Sequence, residues 1–115
     1  MTGTAPLKRP KVTEGDTIRY QTGCGWIYIT INQIDNHPME VFAHLGKTGQ
    51  CGAAQIEAIG RAISIGLRAG VDPMAYVKQF KGIRCPSIGY DEGEPILSCA
   101  DAIAKAIERS IPCES

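Results

Sequence analysis

The sequence predicts an α+β domain, an antiparallel β-meander of about three strands covered on one face by about three helices. Three observations carry that prediction. Residues 26–32, WIYITIN, set Ile27, Ile29 and Ile31 against Trp26, Tyr28, Thr30 and Asn32, the period of two of a strand with one buried face. Residues 46–70, GKTGQCGAAQIEAIGRAISIGLRAG, repeat Ile56, Ile59, Ile63 and Leu67 at helical steps, with Glu57, Arg61, Ser64 and Arg68 opposite. Behind Ser98 as N-cap, Ala100, Ile103, Ala104, Ile107 and Ile111 share a second helical face, with Asp101, Lys105 and Arg109 outside.

Each element follows in chain order. Residues 1–16, rich in Pro, Lys and Thr, read as a flexible arm ending in a turn at Glu14-Gly15-Asp16. Residues 17–115 read as a single domain, since 115 residues supply one core and not two. Ile18 and Tyr20 alternate with Arg19 and Gln21 in a short first strand, and Gly23-Cys24-Gly25 turns into the second. After Asp35-Asn36-His37-Pro38, a third strand sets Met39, Val41, Ala43 and Leu45 against Glu40, Phe42 and His44. Gly70 ends the central helix; Asp72 and Pro73 start a short one whose apolar side is Met74, Val77 and Phe80. Lys81-Gly82 stops it, and IRCPSIGYDEGEPIL reads as a long irregular connection of the kind that binds something.

Charge balance limits the partners. Lys plus Arg number 12 and so do Asp plus Glu, so no global field draws the chain to DNA, RNA or an acidic membrane. No apolar run approaches the ~20 residues of a membrane span, and the first residues lack a secretory signal, so the expected address is cytoplasmic. The five cysteines include no C-x-x-C pair and are expected to be reduced, and without close ligand spacing beside His37 or His44 no metal is expected.

Enzyme readings find little support. The Gly46-Lys47-Thr48 triplet fails as a P-loop because Val41 stands where its first glycine belongs. As a glycine-rich helix entrance, Lys47, Thr48, Gly49 and Gly52 form either a tight turn or a second phosphate site. Cys85 has no designed base, and the acids Asp91, Glu92 and Glu94 lie on a solvated turn, so no catalytic residues and no cofactor are expected. The stretch Phe80-Lys81-Gly82-Ile83-Arg84-Cys85-Pro86, with Tyr90 beyond it, combines an aromatic, two cations and a free turn. That inventory suits stacking a base and holding its phosphates. Phe80 reads equally as the last core contact of its helix.

These residues also carry a resemblance. LSCADAIAKAIE at 97–108 resembles the TSCPD signature at the C-terminal end of cobalamin-dependent, class II ribonucleotide reductases, with Leu97 for Thr and Ala100 for Pro. GWIYITIN, EVFAHLGKTG, EAIGRAISIGLRAG and KGIRCP resemble the rest of that domain, over about residues 17–111. In free-standing form such a domain is similar to a phage family, the Thoeris anti-defence sponges. That resemblance implies a protein that binds cyclic ADP-ribose isomers made by TIR enzymes, or other cyclic nucleotides, and withholds them uncleaved. It further implies homo-oligomers, dimers or trimers of dimers, with pockets between subunits, in the host cytoplasm for a phage-borne chain. On this reading Phe80 or Tyr90 stacks on adenine while Arg84 and Arg109, near Lys81, hold the pyrophosphate. Gly82 and Pro86 shape the loop, and Asp91 accepts from a ribose hydroxyl; Arg109 reads equally as an exposed helix residue. The alternative is an accessory or regulatory nucleotide- or zinc-binding domain of a ribonucleotide reductase.

Overall fold

The three strands form where the period-two runs place them, and their inward isoleucines make the floor of the core. The computed structural model describes residues 3–46 and 51–111. Strands β1 (Glu14–Thr22), β2 (Gly25–Ile34) and β3 (His37–Leu45) pair antiparallel in the order β1-β2-β3. Helices α1 (Cys51–Arg68) and α2 (Pro73–Phe80) follow, then strands β4 (Gly89–Asp91) and β5 (Glu94–Ile96), then α3 (Cys99–Ser110). Ile27, Ile29 and Ile31 of β2 meet Ile103 and Ile107 of α3 in one core with Val77 of α2 and Ile63 and Leu67 of α1. The domain is α+β, as the periodicities predict.

The opposite sheet face is amphipathic. Arg19 lies over the Trp26 ring at 4.5 Å, and Tyr28 stacks on His44 with centroids 5.3 Å apart. These pairs cover aromatic surface with cationic and aromatic neighbours across strands.

Four expectations need correction. The turn expected at Glu14–Asp16 is instead the start of β1, because those residues continue the ladder opposite Gln33, Asn32 and Ile31. The connection after α2 is not irregular throughout: β4 and β5 form a small hairpin turning at Glu92 and Gly93, both at positive φ. Ser64, read as an outward residue, is buried, because α1 runs beside the free edge of β3. Its Oγ accepts from the Val41 N–H at 2.8 Å, with the Val41 and Gly60 carbonyl oxygens 3.0 and 2.9 Å away as acceptors for its single proton. Gly60 permits the approach, since a Cβ there would sit 2.9 Å from the Val41 carbonyl oxygen. Finally, Glu40 and Asp101, whose spacing puts them opposite the apolar residues of β3 and α3, are both buried.

The helix ends behave as their sequences dictate. Asp72 caps α2, its side chain accepting from the Met74 N–H at 3.0 Å, with Pro73 in the first turn. Gly70 follows the last turn of α1, where the Val71 N–H reaches the Gly66 carbonyl at 2.9 Å. Among the described residues, no helix is long and apolar enough to cross a membrane.

Candidate functional site

The signature stretch at the start of α3 is built around hydrogen bonds to the long connection before it. Ser98 is the N-cap: its Oγ accepts from the Asp101 N–H at 3.0 Å and donates to the Ile83 carbonyl at 2.6 Å. Asp101, at 0% exposure, accepts from the Gly82 N–H at 2.9 Å on Oδ1 and from the Leu97 N–H at 3.1 Å on Oδ2. Lys105, one turn on, gives the carboxylate a third partner, at 2.9 Å on Oδ2. A single carboxylate therefore ties together both ends of the connection from Gly82 to Leu97. The Cys85 N–H adds a bond to the Leu97 carbonyl at 2.9 Å. Gly82, at φ 90°, supplies the left-handed step that aims its N–H into the clamp. Burial alone pushes the Asp101 carboxyl up; the Gly82, Lys105 and Leu97 donors outweigh that and hold it below the usual carboxylate range.

The clamped connection carries most of the residues predicted to bind. Arg84 and Pro86 are exposed, and Arg84 makes no ion pair among the described residues. Tyr90, on β4, is 65% exposed, which leaves its ring available for stacking. Phe80 is half-buried: it packs edge-on against Tyr76 at 6.2 Å and joins the core. The Lys81 amine is 2.9 Å from the Glu108 carboxylate on α3, a solvated pair that raises its pKa.

The charges of Arg109 and Asp91 both act on Tyr20 of β1. Burial pushes the Tyr20 phenol pKa up, Arg109 draws it back, and Asp91 and Glu94 raise it again. Arg109 lines a cleft of about 270 Å3 with Tyr20, Glu94, Lys105 and Glu108. Its charges are mixed. Arg84 lies at the opposite end of α3, beside Ser98, about 16 Å along the axis at 1.5 Å per residue. Arg84 and Arg109 thus stand at opposite ends of α3. Gly52 stands exposed in the first turn of α1, whereas Lys47, Thr48 and Gly49 lie outside the described residues.

Three thiols fall among the residues whose side chains are described. Cys24 is exposed and Cys85 and Cys99 half-buried, all unpaired. Burial pushes the Cys99 thiol up, with Cys24 and Cys85 nearby adding to the rise against a Thr22 hydrogen bond. No cluster of three His, Cys, Asp or Glu among the described residues is placed to hold a metal ion.

Sequence reasoning missed Asp101, Glu40 and Tyr20 as site residues. Asp101 carries a readable signal, the Ser-x-x-Asp spacing of a helix start, although its spacing to Lys105 equally suits a surface pair. Glu40 had none, because its partners come from residues 9, 32 and 68.

Comparison with known proteins agrees with this placement of the signature. The vitamin B12-dependent ribonucleotide reductase of Streptantibioticus cattleyicolor is 30% identical over 103 residues, which cover 89% of this chain and 17% of that protein. The enzyme of the same description from Streptomyces coelicolor is also 30% identical over 103 residues, 89% of this chain and 10% of its own length. The chain thus spans no more than about a sixth of these curated relatives. No solved structure matches. The TSCPD domain profile matches residues 3–111, from the N-terminal arm through the Ser98–Asp101 clamp to the end of α3, and the chain belongs to that family.

Proposed function

We propose that this chain is a nucleotide sponge: it binds a cyclic nucleotide signal of the cyclic ADP-ribose type and withholds it without cleaving it. The observation that carries the reading is the clamped connection, which presents an arginine without an ion-pair partner among the described residues, Arg84, and a largely exposed aromatic ring, Tyr90. A loop fixed at both ends loses little freedom when a ligand arrives, so its contacts go into affinity. Arg84 supplies a bidentate phosphate contact and Tyr90 a stacking face. On this reading a pocket that uses both Arg84 and Arg109 takes them from two copies of the chain, in a dimer or a trimer of dimers. Sequestration then depends on slow release, since a sponge without turnover acts stoichiometrically.

Calorimetry with purified cyclic ADP-ribose isomers tests this, together with recovery of the ligand after heat denaturation. The expected result is saturable binding, lost in Arg84→Ala, with the ligand recovered chemically unchanged. No heat and no rise in melting temperature at micromolar ligand would sink it.

A second reading has its own support in the reductase relatives, an accessory domain that contacts a ribonucleotide reductase and responds to nucleotide. Co-purification with a separately encoded reductase subunit, together with binding of deoxynucleotides in preference to cyclic ADP-ribose isomers, would favour it.

A further inference from the structure

The N-terminal arm reaches the domain through a buried carboxylate that the reading above does not use. Glu40, at 1% exposure, receives four hydrogen bonds: Arg9 Nε at 2.6 Å, Arg9 Nη2 at 3.1 Å, Arg68 Nη1 at 3.0 Å and Asn32 Nδ2 at 3.2 Å. Arg9 engages both carboxylate oxygens with adjacent nitrogens, the fork geometry a guanidinium offers and an ammonium does not. Asn32 and Arg68 belong to β2 and α1, but Arg9 belongs to the arm.

Little else holds that arm. The Leu7 N–H bonds to the Arg68 carbonyl at 2.9 Å, while the Leu7 side chain is 59% exposed. The segment therefore docks by one side chain and a main-chain bond, as a peptide ligand docks, rather than by burying apolar surface. Pro6 and Pro10 bias it toward extended backbone, which lowers the entropy lost on docking. When it leaves, Glu40 keeps Arg68 and Asn32, so no bare charge is stranded. Arg9 also borders an open groove of about 360 Å3 whose apolar walls, Phe42 and Ile65, are 42% and 53% exposed. No core residue claims that shelf among the described residues.

We propose that the Glu40 notch is a receptor for an extended, arginine-bearing peptide segment, filled here by the chain's own N-terminal arm and open to exchange. The guanidinium seats on Glu40, and flanking apolar side chains lie along Phe42 and Ile65. A partner presenting an arginine in extended backbone displaces the arm and takes over the shelf.

The test uses the full chain carrying Arg9→Ala, in which the notch retains Glu40, Asn32 and Arg68, and a fluorescent synthetic peptide of residues 4–13. Fluorescence anisotropy is expected to show saturable binding to the Arg9→Ala chain. It should be about tenfold or more weaker for the peptide carrying Arg9→Ala, and weaker again when Glu40→Gln is added to the chain. The unaltered chain should bind the peptide less well, because its own arm competes. Self-association of the unaltered chain that Arg9→Ala abolishes would identify a second copy's arm as the occupant and supports the receptor. Absence of binding to the Arg9→Ala chain overturns the proposal, as does equal binding of both peptides, which would leave only a general apolar patch. Hydrogen exchange of the unaltered chain gives a check that needs no variant: the Leu7 amide, bonded to the Arg68 carbonyl, should exchange faster with excess peptide, and an unchanged rate counts against exchange.

Discussion

Asp101 and Glu40 are both buried carboxylates with several donors each, yet they do different things because of where the donors come from. Asp101 takes two of its three hydrogen bonds from main-chain N–H groups, at Gly82 and Leu97, and the third from Lys105 on its own helix. The two main-chain donors cannot leave without unmaking the connection. Glu40 takes all four from side chains on the arm, β2 and α1. One of those residues, Arg9, sits on the terminal arm, and in the exchange proposed above it departs while Asn32 and Arg68 stay. The comparison teaches that burial of a charge does not define its role: main-chain donors make a fixed bolt, and a donor on a terminal arm makes a latch.

The largest effect expected is from Asp101→Ala, which strands two main-chain N–H groups and the Lys105 amine. It should cost about 3–5 kcal/mol in chemical denaturation, and a loss below about 1 kcal/mol would show that the clamp is not the bolt described. Acid should attack both carboxylates reversibly. Burial by itself pushes the Glu40 carboxyl up, but the Arg9 and Asn32 hydrogen bonds and the Arg9 and Arg68 charges hold it low, and Asp101 is held low likewise. A depressed folded value contributes stability above the ordinary carboxylate pKa, near about pH 4, and that contribution is lost as pH falls through the folded value. Urea midpoints should therefore fall as the pH drops below about 4, less steeply in a chain carrying Glu40→Gln. Glu40→Gln itself should cost less than Asp101→Ala, about 1–3 kcal/mol, because its donors retain access to water. Hydrogen exchange would sharpen the contrast: Glu40→Gln should loosen the arm, and Asp101→Ala residues 82–97. Smallest is Ser98→Ala, about 1 kcal/mol from the lost cap, measured by the same denaturation series.

Much of the architecture was legible because it rests on local patterns. Ile27, Ile29 and Ile31 announced the buried face of β2; Asp72, Pro73 and Ser98 announced helix starts, and all behave accordingly. The failures share a cause: tertiary neighbours overrode local polarity. Ser64 is hydrophilic and spaced for the outer face, but α1 lies along a strand edge that needs a hydrogen-bonding partner. Glu40 alternates correctly for the outer face of β3, and it is there, but the arm and α1 cover it. Register contributes too, since the ladder shifts between Asn32 and Gln33, which leaves Met39 without a directly paired residue. At the candidate site, the sequence could nominate Arg84, Tyr90 and Arg109 by chemistry, yet the distance between the ends of α3 is a property of the fold. The spacing of Ser98 and Asp101 was visible, but which backbone groups they would reach was not.

The seating of Ser64 against Val41 has a consequence for how the sheet can grow. With α1 packed along the margin of β3, where Ser64 takes both hydrogen-bonding groups of Val41 and Gly60 lies against Val41 and Ala43, an incoming strand has no room to align there. Any lengthening of the sheet is confined to the β1 side, and two chains that met across a twofold axis on that side would consume each other's remaining margin. Ribbon-like stacking of strand upon strand is thereby closed to this fold, and a helix one serine wide at the contact is the stopper.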